Sequence, residues 1–310
     1  MSDDPARACS STWRYFPATA APRRTGPDPG MALSSPSAAP ALPPKLAPDI
    51  KAIIAISSGK GGVGKSTTAV NLALACAADG LKVGLLDADI YGPSVPTLMG
   101  AHGKPELLPG NRLKPLRTNG LLMMSIGLLV PESGAMIWRG PMVMQAITQL
   151  LRDVDWGALD VLIVDMPPGT GDAALTLAQI VQLAGAVVVS TPQDMALIDA
   201  RRGLAMFRRV DVPILGVIEN MSFFLCPKCG SRTDIFGHGG AEEDAARLQV
   251  PFLGQIPLDP HIRETSDAGT PLMVKHPHGA HAESYRQIAR RMLLNANGAR
   301  KPPPRIVIED

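Results

Sequence analysis

The feature that most constrains the fold is the octapeptide GKGGVGKS at residues 59–66, which lies between an apolar run and a helix-forming run. It matches the pattern G-x-x-x-x-G-K-S/T. Glycines allow backbone N–H groups to close around phosphate oxygens without Cβ clashes, and the N-terminus of the following helix favours negative charge. Residues 52–57 read as a buried strand, and the Ala- and Leu-rich residues 65–79 read as a helix. The motif therefore predicts a strand, a phosphate-binding loop and a helix in succession.

Two lysines and a serine in this loop are candidate functional residues. Lys65 is predicted to place its charge against the β- and γ-phosphates of a nucleotide, and the Ser66 hydroxyl to ligate Mg²⁺. Lys60 is an addition that a plain phosphate loop does not need. It could reach the phosphates of a neighbouring subunit, as an arginine finger does in trans. The alternative is a solvated surface lysine, and charge alone favours that alternative.

The rest of the chain alternates short apolar runs with longer runs of helical spacing. The predicted strands are residues 52–57, 82–87, 161–165, 186–190, 214–219 and 252–256. The predicted helices are residues 65–79, 141–151, 173–183, 195–209, 241–248 and 284–294. This alternation predicts an α/β fold of the P-loop NTPase type, with a doubly wound, mostly parallel sheet and helices on both faces. We expect a single domain over residues 49–296.

The two ends of the chain differ from this central region. Residues 1–48 are rich in proline and alanine without helical or strand periodicity, which predicts a disordered leader. Residues 297–310 are predicted to be a flexible tail. Arginines and serines in the leader favour a mitochondrial presequence, whereas its acidic residues and prolines oppose one.

Composition bounds the partners and the compartment. The net charge of +2 does not indicate a nucleic-acid partner. The sequence contains no run of about 18 apolar residues, so no membrane span is predicted. The helix at residues 284–294 is basic and amphipathic, and we expect it to dock on its own sheet rather than on a membrane. Four cysteines are too few for a disulfide framework in a domain of this size, so a reducing, cytoplasmic compartment is predicted, with the mitochondrial matrix as the alternative.

Carboxylates follow two of the predicted strands. Asp87 and Asp89 end one strand, and Asp165 ends another and leads into the segment MPPGTGD. Ligands bind beyond the carboxyl ends of the strands in a sheet of this kind. Asp165 is therefore predicted to hold Mg²⁺ through water, and Asp89 to position or polarise the attacking water. In the loop after Asp165, Gly169 is predicted to approach the γ-phosphate closely.

A separate pair of cysteines, Cys226 and Cys229, lies in the knuckle CPKCG. Such a turn aims two thiolates at one metal, but a tetrahedral site needs four ligands. Three interpretations remain open on spacing alone. Two subunits could share a [4Fe–4S] cluster on a twofold axis, the pair could form a zinc site that is shared or completed by His238, or it could be a redox dithiol.

Taken together, these segments resemble the Mrp/ApbC family of iron–sulfur cluster carrier ATPases, within the deviant-Walker, MinD-like and ParA-like group of P-loop proteins. A mitochondrial relative that assembles respiratory complex I is similar to nearly the same extent. The matching segments, within residues 53–275, are SSGKGGVGKST, LLDADIYGPSVP, WRGPMV, DMPPGTGD, STPQDMALIDA, ENMSFFLCPKCG and GQIPLDPHIRE. The chain departs from many members at its N-terminus, where a Pro/Ala-rich leader replaces a small domain.

The resemblance implies roles for individual residues. Lys60 would act across an ATP-bound dimer, and Lys60, Lys65, Asp89 and Asp165 would be catalytic. Asn220 would contact adenine, with Pro257 near the base. The loop residues that would bind ATP are Gly59, Lys60, Gly61, Gly62, Val63, Gly64, Lys65, Ser66 and Thr67.

The resemblance also favours the shared cluster over the other two interpretations of the cysteine pair, with Cys226 and Cys229 as its ligands. The expected function is ATP-dependent carriage of a labile [4Fe–4S] cluster by a homodimer that delivers it to apo iron–sulfur proteins. ATP and Mg²⁺ are the expected cofactors, with no nucleic acid and no stable membrane association. The rival functions are a MinD- or ParA-like positioning ATPase, a zinc-binding P-loop regulator and an electron-donating reductase.

Overall fold

The computed structural model describes residues 47–129 and 140–299. The strands are β1 (Ile50–Ser58), β2 (Val83–Asp87), β3 (Glu106–Leu108), β4 (Arg112–Lys114), β5 (Leu116–Thr118), β6 (Leu121–Ser125), β7 (Leu159–Asp165), β8 (Gly185–Ser190), β9 (Ile214–Glu219), β10 (Phe224–Leu225), β11 (Arg232–Thr233) and β12 (Phe252–Gln255). The helices are α1 (Lys65–Ala78), α2 (Val95–Leu98), α3 (Gly140–Arg152), α4 (Asp172–Ile180), α5 (Asp194–Arg209), α6 (Gly240–Arg247), α7 (Pro260–Asp267), α8 (Leu272–Lys275) and α9 (Ala280–Gly298). A short 3₁₀ turn, Ile126–Leu128, follows β6.

Eight strands form one sheet in the order β12-β9-β8-β1-β7-β2-β6-β5. Every neighbouring pair is parallel except β5 and β6, which are antiparallel at the edge. Residues 52–58 of β1 are all buried, which is typical of a strand covered by helices on both faces. The predicted fold class, a doubly wound and mostly parallel sheet, is confirmed.

All six predicted strands are present, with ends that differ by at most two residues, whereas β6 and β5 of the same sheet were not predicted. The β6 sequence LLMMS lacks the β-branched residues that mark a strand, yet its backbone pairs with β2 and four of its five residues are buried. The connection from β2 to β6 contains the short helix α2, the hairpin β3–β4 and the edge strand β5, and not a long crossover helix, so the strand–helix alternation gave no signal for β6. Tertiary pairing decides this edge of the sheet.

The C-terminal helix α9 is docked on the body of the protein, as expected. It is longer than predicted, because it begins at Ala280 and continues through Gly298, two residues into the predicted tail. Its apolar face, including Tyr285 and Met292, is buried, and it packs against α1. Within the residues that the structure describes, no helix is long and apolar enough to cross a membrane.

Polar contacts complete the docking of α9. Arg290 donates two hydrogen bonds to the Asp79 carboxylate, at 2.8 and 3.0 Å. The Asn295 amide donates to the Leu215 carbonyl at 2.7 Å. The predicted leader lies almost entirely outside the described residues, as does most of the predicted tail, and both stay predictions.

The docking of α9 generates a prediction about stability. Met292 is 0% exposed and Leu294 is 70% exposed on the same helix. Met292→Ala should lower the free energy of unfolding by about 2–5 kcal/mol, because a buried side chain leaves a cavity. The matched control Leu294→Ala should change it by no more than about 0.5 kcal/mol. Urea denaturation compares the variants, and equal effects of the two substitutions would contradict a docked helix.

Candidate nucleotide site and cysteine loop

The phosphate loop lies at the carboxyl end of β1, the strand between β7 and β8. Gly62 and Gly64 have φ of 80° and 78°, a left-handed conformation that glycine adopts without strain. A Cβ at Gly59 would lie 2.1 Å from the Asp199 carbonyl carbon of α5, so only glycine fits there. The N-terminus of α1 has no side-chain cap and no acidic residue in its first turn. Its N–H groups are therefore available for an anion.

Four of the predicted site residues meet at the first turn of α1. The Lys65 ammonium donates to Asp165 Oδ1 at 2.5 Å and to Ser66 Oγ at 3.3 Å. It lies 4.0 Å from Asp89 Oδ2. Lys65, Asp89 and Asp165 are all buried. Residues that are about 100 positions apart in sequence are thus brought together by the neighbouring strands β1, β7 and β2.

Two carboxylate oxygens at this point have no hydrogen-bond partner among the described residues. They are Asp89 Oδ1 and Asp165 Oδ2, and both are buried. Buried polar atoms nearly always have a partner, and unpaired carboxylate oxygens beside a serine hydroxyl suit a hard cation such as Mg²⁺. The donor set of Ser66 and Asp165 therefore fits the predicted Mg²⁺, with the Asp89 carboxylate beside it.

Asp87 belongs to the site, although the sequence pattern predicted no function for it. It ends β2 directly opposite Asp165 in the strand register. It accepts hydrogen bonds from the Asp89 N–H at 3.1 Å, the Val95 N–H at 3.2 Å and the Ser125 hydroxyl at 3.0 Å. Burial, with the Asp165 charge as a second cause, raises the pKa of Asp87 to about 7. Asp87 thus holds the backbone of the loop that carries Asp89. The spacing of the two aspartates at a strand end was the signal that could have identified it.

Burial also raises the pKa of Asp165, the neighbour of Asp87 across the strands, and the Lys65 ammonium opposes this rise. The predicted phosphate-sensing loop is held to the end of β1, directly before the phosphate loop, because the Gly169 N–H donates to the Ser58 carbonyl at 2.9 Å. Gly169 has φ of 84° and leaves room for a close approach.

Lys60 stands apart from this cluster. Its carbonyl accepts a hydrogen bond from the Ser58 hydroxyl at 2.8 Å, which shapes the loop backbone. Within the described parts of the chain, its ammonium has no hydrogen bond or ion pair. The structure therefore does not bring Lys60 into the site of its own chain.

A cleft of about 240 Å³ adjoins the phosphate loop and brings four predicted nucleotide residues together. Gly64, Thr67, Asn220 and Pro257 all line it. The Asn220 side-chain N–H donates to the Val63 carbonyl at 2.8 Å, so this amide supports the phosphate loop as well as facing the cleft. The contact with adenine stays a prediction.

The cysteine pair lies in the turn of the hairpin β10–β11. Cys226 is half-buried and Cys229 is exposed. The turn is closed by backbone hydrogen bonds from Gly230 N to Cys226 O at 2.8 Å and from Cys226 N to Ser231 O at 2.9 Å. Hydrogen bonds from the Ser231 side chain and backbone lower the pKa of Cys229, which favours the metal-binding thiolate.

The other candidate ligands do not join this pair. His238 Nδ1 is 2.8 Å from an Arg232 nitrogen and 3.8 Å from the Asp234 carboxylate. Among the described residues, no group of three or more His, Cys, Asp or Glu side chains is placed to hold a metal ion. Cys76 is buried in α1, where burial raises its pKa to about 12, and Cys9 lies outside the described residues. Within the described part of one chain, Cys226 and Cys229 are thus the two thiols that are placed to bind a metal together.

A glycine-rich loop after the central strand of a mostly parallel sheet, with carboxylates at the ends of adjacent strands, defines a P-loop NTPase. The family model described as "ParA: NUBPL iron-transfer P-loop NTPase" matches residues 49–293. The chain belongs to this family, and the resemblance seen in the sequence motifs is confirmed.

Relatives and solved structures agree with this placement. The chain is 54% identical over 244 residues to the iron-sulfur cluster carrier protein of Escherichia coli, a match that covers 78% of this chain and 66% of the relative. It is 55% identical over 242 residues to the iron-sulfur cluster transfer protein NUBPL of Mus musculus, with 77% and 76% covered. The chain therefore spans slightly less than two thirds of the bacterial carrier.

Among solved structures, a nucleotide-binding protein of Archaeoglobus fulgidus in complex with ADP has a TM-score of 0.65 at 40% identity, with 74% of this chain and 90% of that chain covered. The cell division ATPase MinD of Pyrococcus furiosus has a TM-score of 0.59 at 22% identity, with 79% and 99% covered, and shows the shared fold.

The raised pKa of Asp87 predicts a pH dependence of stability in the nucleotide-free protein. Between the ordinary value of 3.8 and about 7, folded Asp87 keeps a proton that the unfolded chain has released. Its contribution to the free energy of unfolding should therefore fall as pH rises through that interval and stay constant above it. Asp87→Asn, which does not titrate, should lack this decline.

Urea denaturation at about pH 5 and about pH 8 measures the effect. The control is Asp153→Asn, since Asp153 is half-buried and a hydrogen bond from Arg152 lowers its pKa, so it does not titrate between these two pH values. An equally steep decline in Asp87→Asn and in the natural protein would show that Asp87 does not titrate in this range.

Proposed function

We propose that the protein is an ATP-dependent carrier that binds a labile [4Fe–4S] cluster across a homodimer and transfers it to apo iron–sulfur proteins. The observation that carries the proposal is the pair Cys226 and Cys229 on one hairpin, with no further ligand among the described residues. A [4Fe–4S] cluster takes four thiolates, so two chains would supply the set. The names of relatives at 54% and 55% identity, an iron-sulfur cluster carrier and an iron-sulfur cluster transfer protein, support the same cargo.

ATP hydrolysis would use the residues gathered at the first turn of α1. Lys65, which pairs with Asp165 in the structure, would turn to the β- and γ-phosphates and stabilise the charge that develops there. Mg²⁺, held by Ser66 and by Asp165 through water, would neutralise phosphate charge. Asp89 would orient the attacking water, and Asp87 would hold the Asp89 loop in place.

A homodimer would complete both the nucleotide site and the cluster site. Lys60 has no partner for its ammonium within the described residues of its own chain, which supports a contact with the nucleotide of the other subunit. A dimer assembled through the phosphate loops would have two such contacts by symmetry. The thiolate pairs would meet on the same twofold axis. ATP binding and hydrolysis would change how the subunits are oriented and therefore how tightly four thiolates hold the cluster.

We propose the cytoplasm as the compartment, with the mitochondrial matrix as the alternative. Free thiols suit both compartments. The name of a relative in Arabidopsis thaliana, an iron-sulfur protein required for NADH dehydrogenase, includes the word mitochondrial.

The action of Lys60 in trans is tested by mixing two inactive variants, Lys60→Ala and Asp89→Ala. In a mixed dimer, the site on the Lys60→Ala chain keeps its own Asp89 and receives Lys60 from the other chain. Random exchange should therefore restore about a quarter of the natural rate of ATP hydrolysis, since half of the dimers each have one complete site.

Mass spectrometry of differently labelled chains establishes that subunits exchange. The control mixture pairs Lys60→Ala with Lys65→Ala, and it too should recover one complete site. If neither mixture recovers activity although exchange is demonstrated, Lys60 is a solvated surface lysine and does not act in trans.

The shared cluster predicts a link between iron content and oligomeric state. After anaerobic reconstitution with iron and sulfide, about four irons per two chains should elute with the dimer, and loss of the cluster should shift the protein toward monomer. Cys226→Ala and Cys229→Ala should each abolish the cluster while ATP binding persists. The control Cys76→Ala should change neither, because Cys76 is buried in α1.

Iron and sulfide analysis combined with gel filtration gives the result. A monomer that keeps its full iron content, or one stoichiometric zinc in protein purified without oxygen, would overturn the bridging-cluster proposal. The zinc result would favour the regulator instead.

A further inference from the structure

A buried carboxylate closes the base of the segment that carries the two cysteines. Glu219 ends β9 and is 0% exposed. Its Oε1 accepts a hydrogen bond from the Ser222 hydroxyl at 2.6 Å, and its Oε2 accepts one from the Ala241 N–H at 2.8 Å. Ser222 directly precedes the cysteine segment, residues 223–240, and Ala241 directly follows it. One side chain therefore joins the two ends of this segment.

The next residue along the chain holds the nucleotide loop. The Asn220 side chain donates to the Val63 carbonyl at 2.8 Å, in the middle of the glycine-rich sequence. The Asn220 N–H donates to the Ser190 carbonyl at 2.8 Å, which fixes its backbone to the end of β8. Consecutive residues of one strand end thus hold the cysteine segment and the phosphate loop.

A second connection runs along the wall of the nucleotide cleft. The Leu258 N–H donates to the Phe223 carbonyl at 2.7 Å, and the Ser222 N–H donates to the Ile256 carbonyl at 3.0 Å. Leu258 and Pro257 both line the cleft beside the phosphate loop. A displacement of this wall would therefore be transmitted directly to the residue before β10.

Between the two connections lies a residue in a sparsely populated conformation. Met221 has φ of 54°, in the left-handed region that residues other than glycine, asparagine and aspartate seldom adopt. It also lines the nucleotide cleft. Strained backbone persists only where the surroundings hold it, and here those surroundings are the hydrogen bonds on either side. The backbone at Met221 is therefore sensitive to what occupies the cleft.

We propose that residues 219–223 couple the nucleotide site to the cysteine segment, and that Glu219 is the positioning residue of this coupling. The inference rests on the proposed function, because it specifies how ATP would regulate the hold on the cluster. Glu219 does not line the nucleotide cleft and lies outside the cysteine segment, so it would act through Ser222 and Ala241. Coupling between two binding equilibria is reciprocal, so nucleotide should change cluster retention and the cluster should change nucleotide affinity by the same factor.

Three variants separate coupling from simple support of the fold. Glu219→Ala removes both hydrogen bonds. Glu219→Gln keeps them, because its amide oxygen can accept from the Ala241 N–H while its NH₂ group donates to the Ser222 hydroxyl. Asn295→Ala is the matched control, since it removes a side-chain hydrogen bond to the Leu215 carbonyl near the other end of β9.

The experiment measures how fast a ferrous-iron chelator strips the reconstituted dimer, without nucleotide, with ADP and with a non-hydrolysable ATP analogue. In the natural protein the analogue should change this rate about 5-fold or more relative to no nucleotide, as is typical of allosteric coupling. The ratio of the stripping rate with the analogue to the rate without nucleotide should fall to within about twofold of one in Glu219→Ala. It should stay near the natural value in Glu219→Gln and Asn295→Ala. The affinity for the analogue, measured with and without the cluster, should show the same pattern.

An unchanged ratio in Glu219→Ala would overturn the inference, and so would an equal loss in Asn295→Ala, which would indicate a general effect of destabilisation. If Glu219→Ala does not fold, Ser222→Ala replaces it, since it removes one of the two hydrogen bonds and should reduce the ratio partially. An unchanged ratio in that variant overturns the inference equally.

The natural protein separates this inference from the proposed function. Failure to bind a cluster at all would refute the proposed function. A natural dimer that binds the cluster and responds to the analogue, with an equal response in Glu219→Ala, would refute the role of Glu219 alone.

Discussion

The buried ion pair between Lys65 and Asp165 is the contact around which the nucleotide site is arranged. Removing an ammonium and a carboxylate from water costs several kcal/mol per ion, and the cost is offset only by close geometry and further hydrogen bonds. The 2.5 Å contact, with Ser66 beside it, provides that geometry at the carboxyl ends of two adjacent strands. Asp87 and Asp89 add negative charge to the same point. A site so rich in carboxylates is suited to receive a cation together with phosphate.

The sheet order makes this concentration of charge possible. β1 carries the glycine-rich loop, and β7 and β2 lie beside it in turn, so the residues after all three strands share one edge. The strand register sets Asp87 directly opposite Asp165. Burial, with repulsion from Asp165 as a second cause, then raises the pKa of Asp87, and its three hydrogen bonds organise the loop that follows. Positioning and electrostatics at this edge are consequences of the same parallel pairing.

The cysteine segment obeys a different constraint, which is a shortage of ligands. Two thiols on a short hairpin cannot complete a tetrahedral metal site, and the neighbouring His238 is engaged by Arg232. Under the proposed function, this segment would gain its further ligands from a second copy of the chain. Glu219 and Asn220, at the end of β9, connect this segment to the phosphate loop within two residues of sequence. The distance over which a nucleotide would influence the thiols is therefore short.

Local pattern was sufficient to predict the phosphate loop, the six strands with alternating helices, and the aspartates at strand ends, because each depends on periodicity or on a short motif. It was also sufficient to identify the cysteine pair. It could not predict β6, whose Leu and Met residues form a strand only because β2 offers an open edge. Nor could it assign Asp87 and Glu219, since the importance of each depends on partners that only the packed sheet and helices bring near. The sequence alone determined which chemical groups the chain possesses. The tertiary structure decided which of them share one buried space, because pKa values, ion pairs and hydrogen bonds depend on distance and desolvation and not on order along the chain.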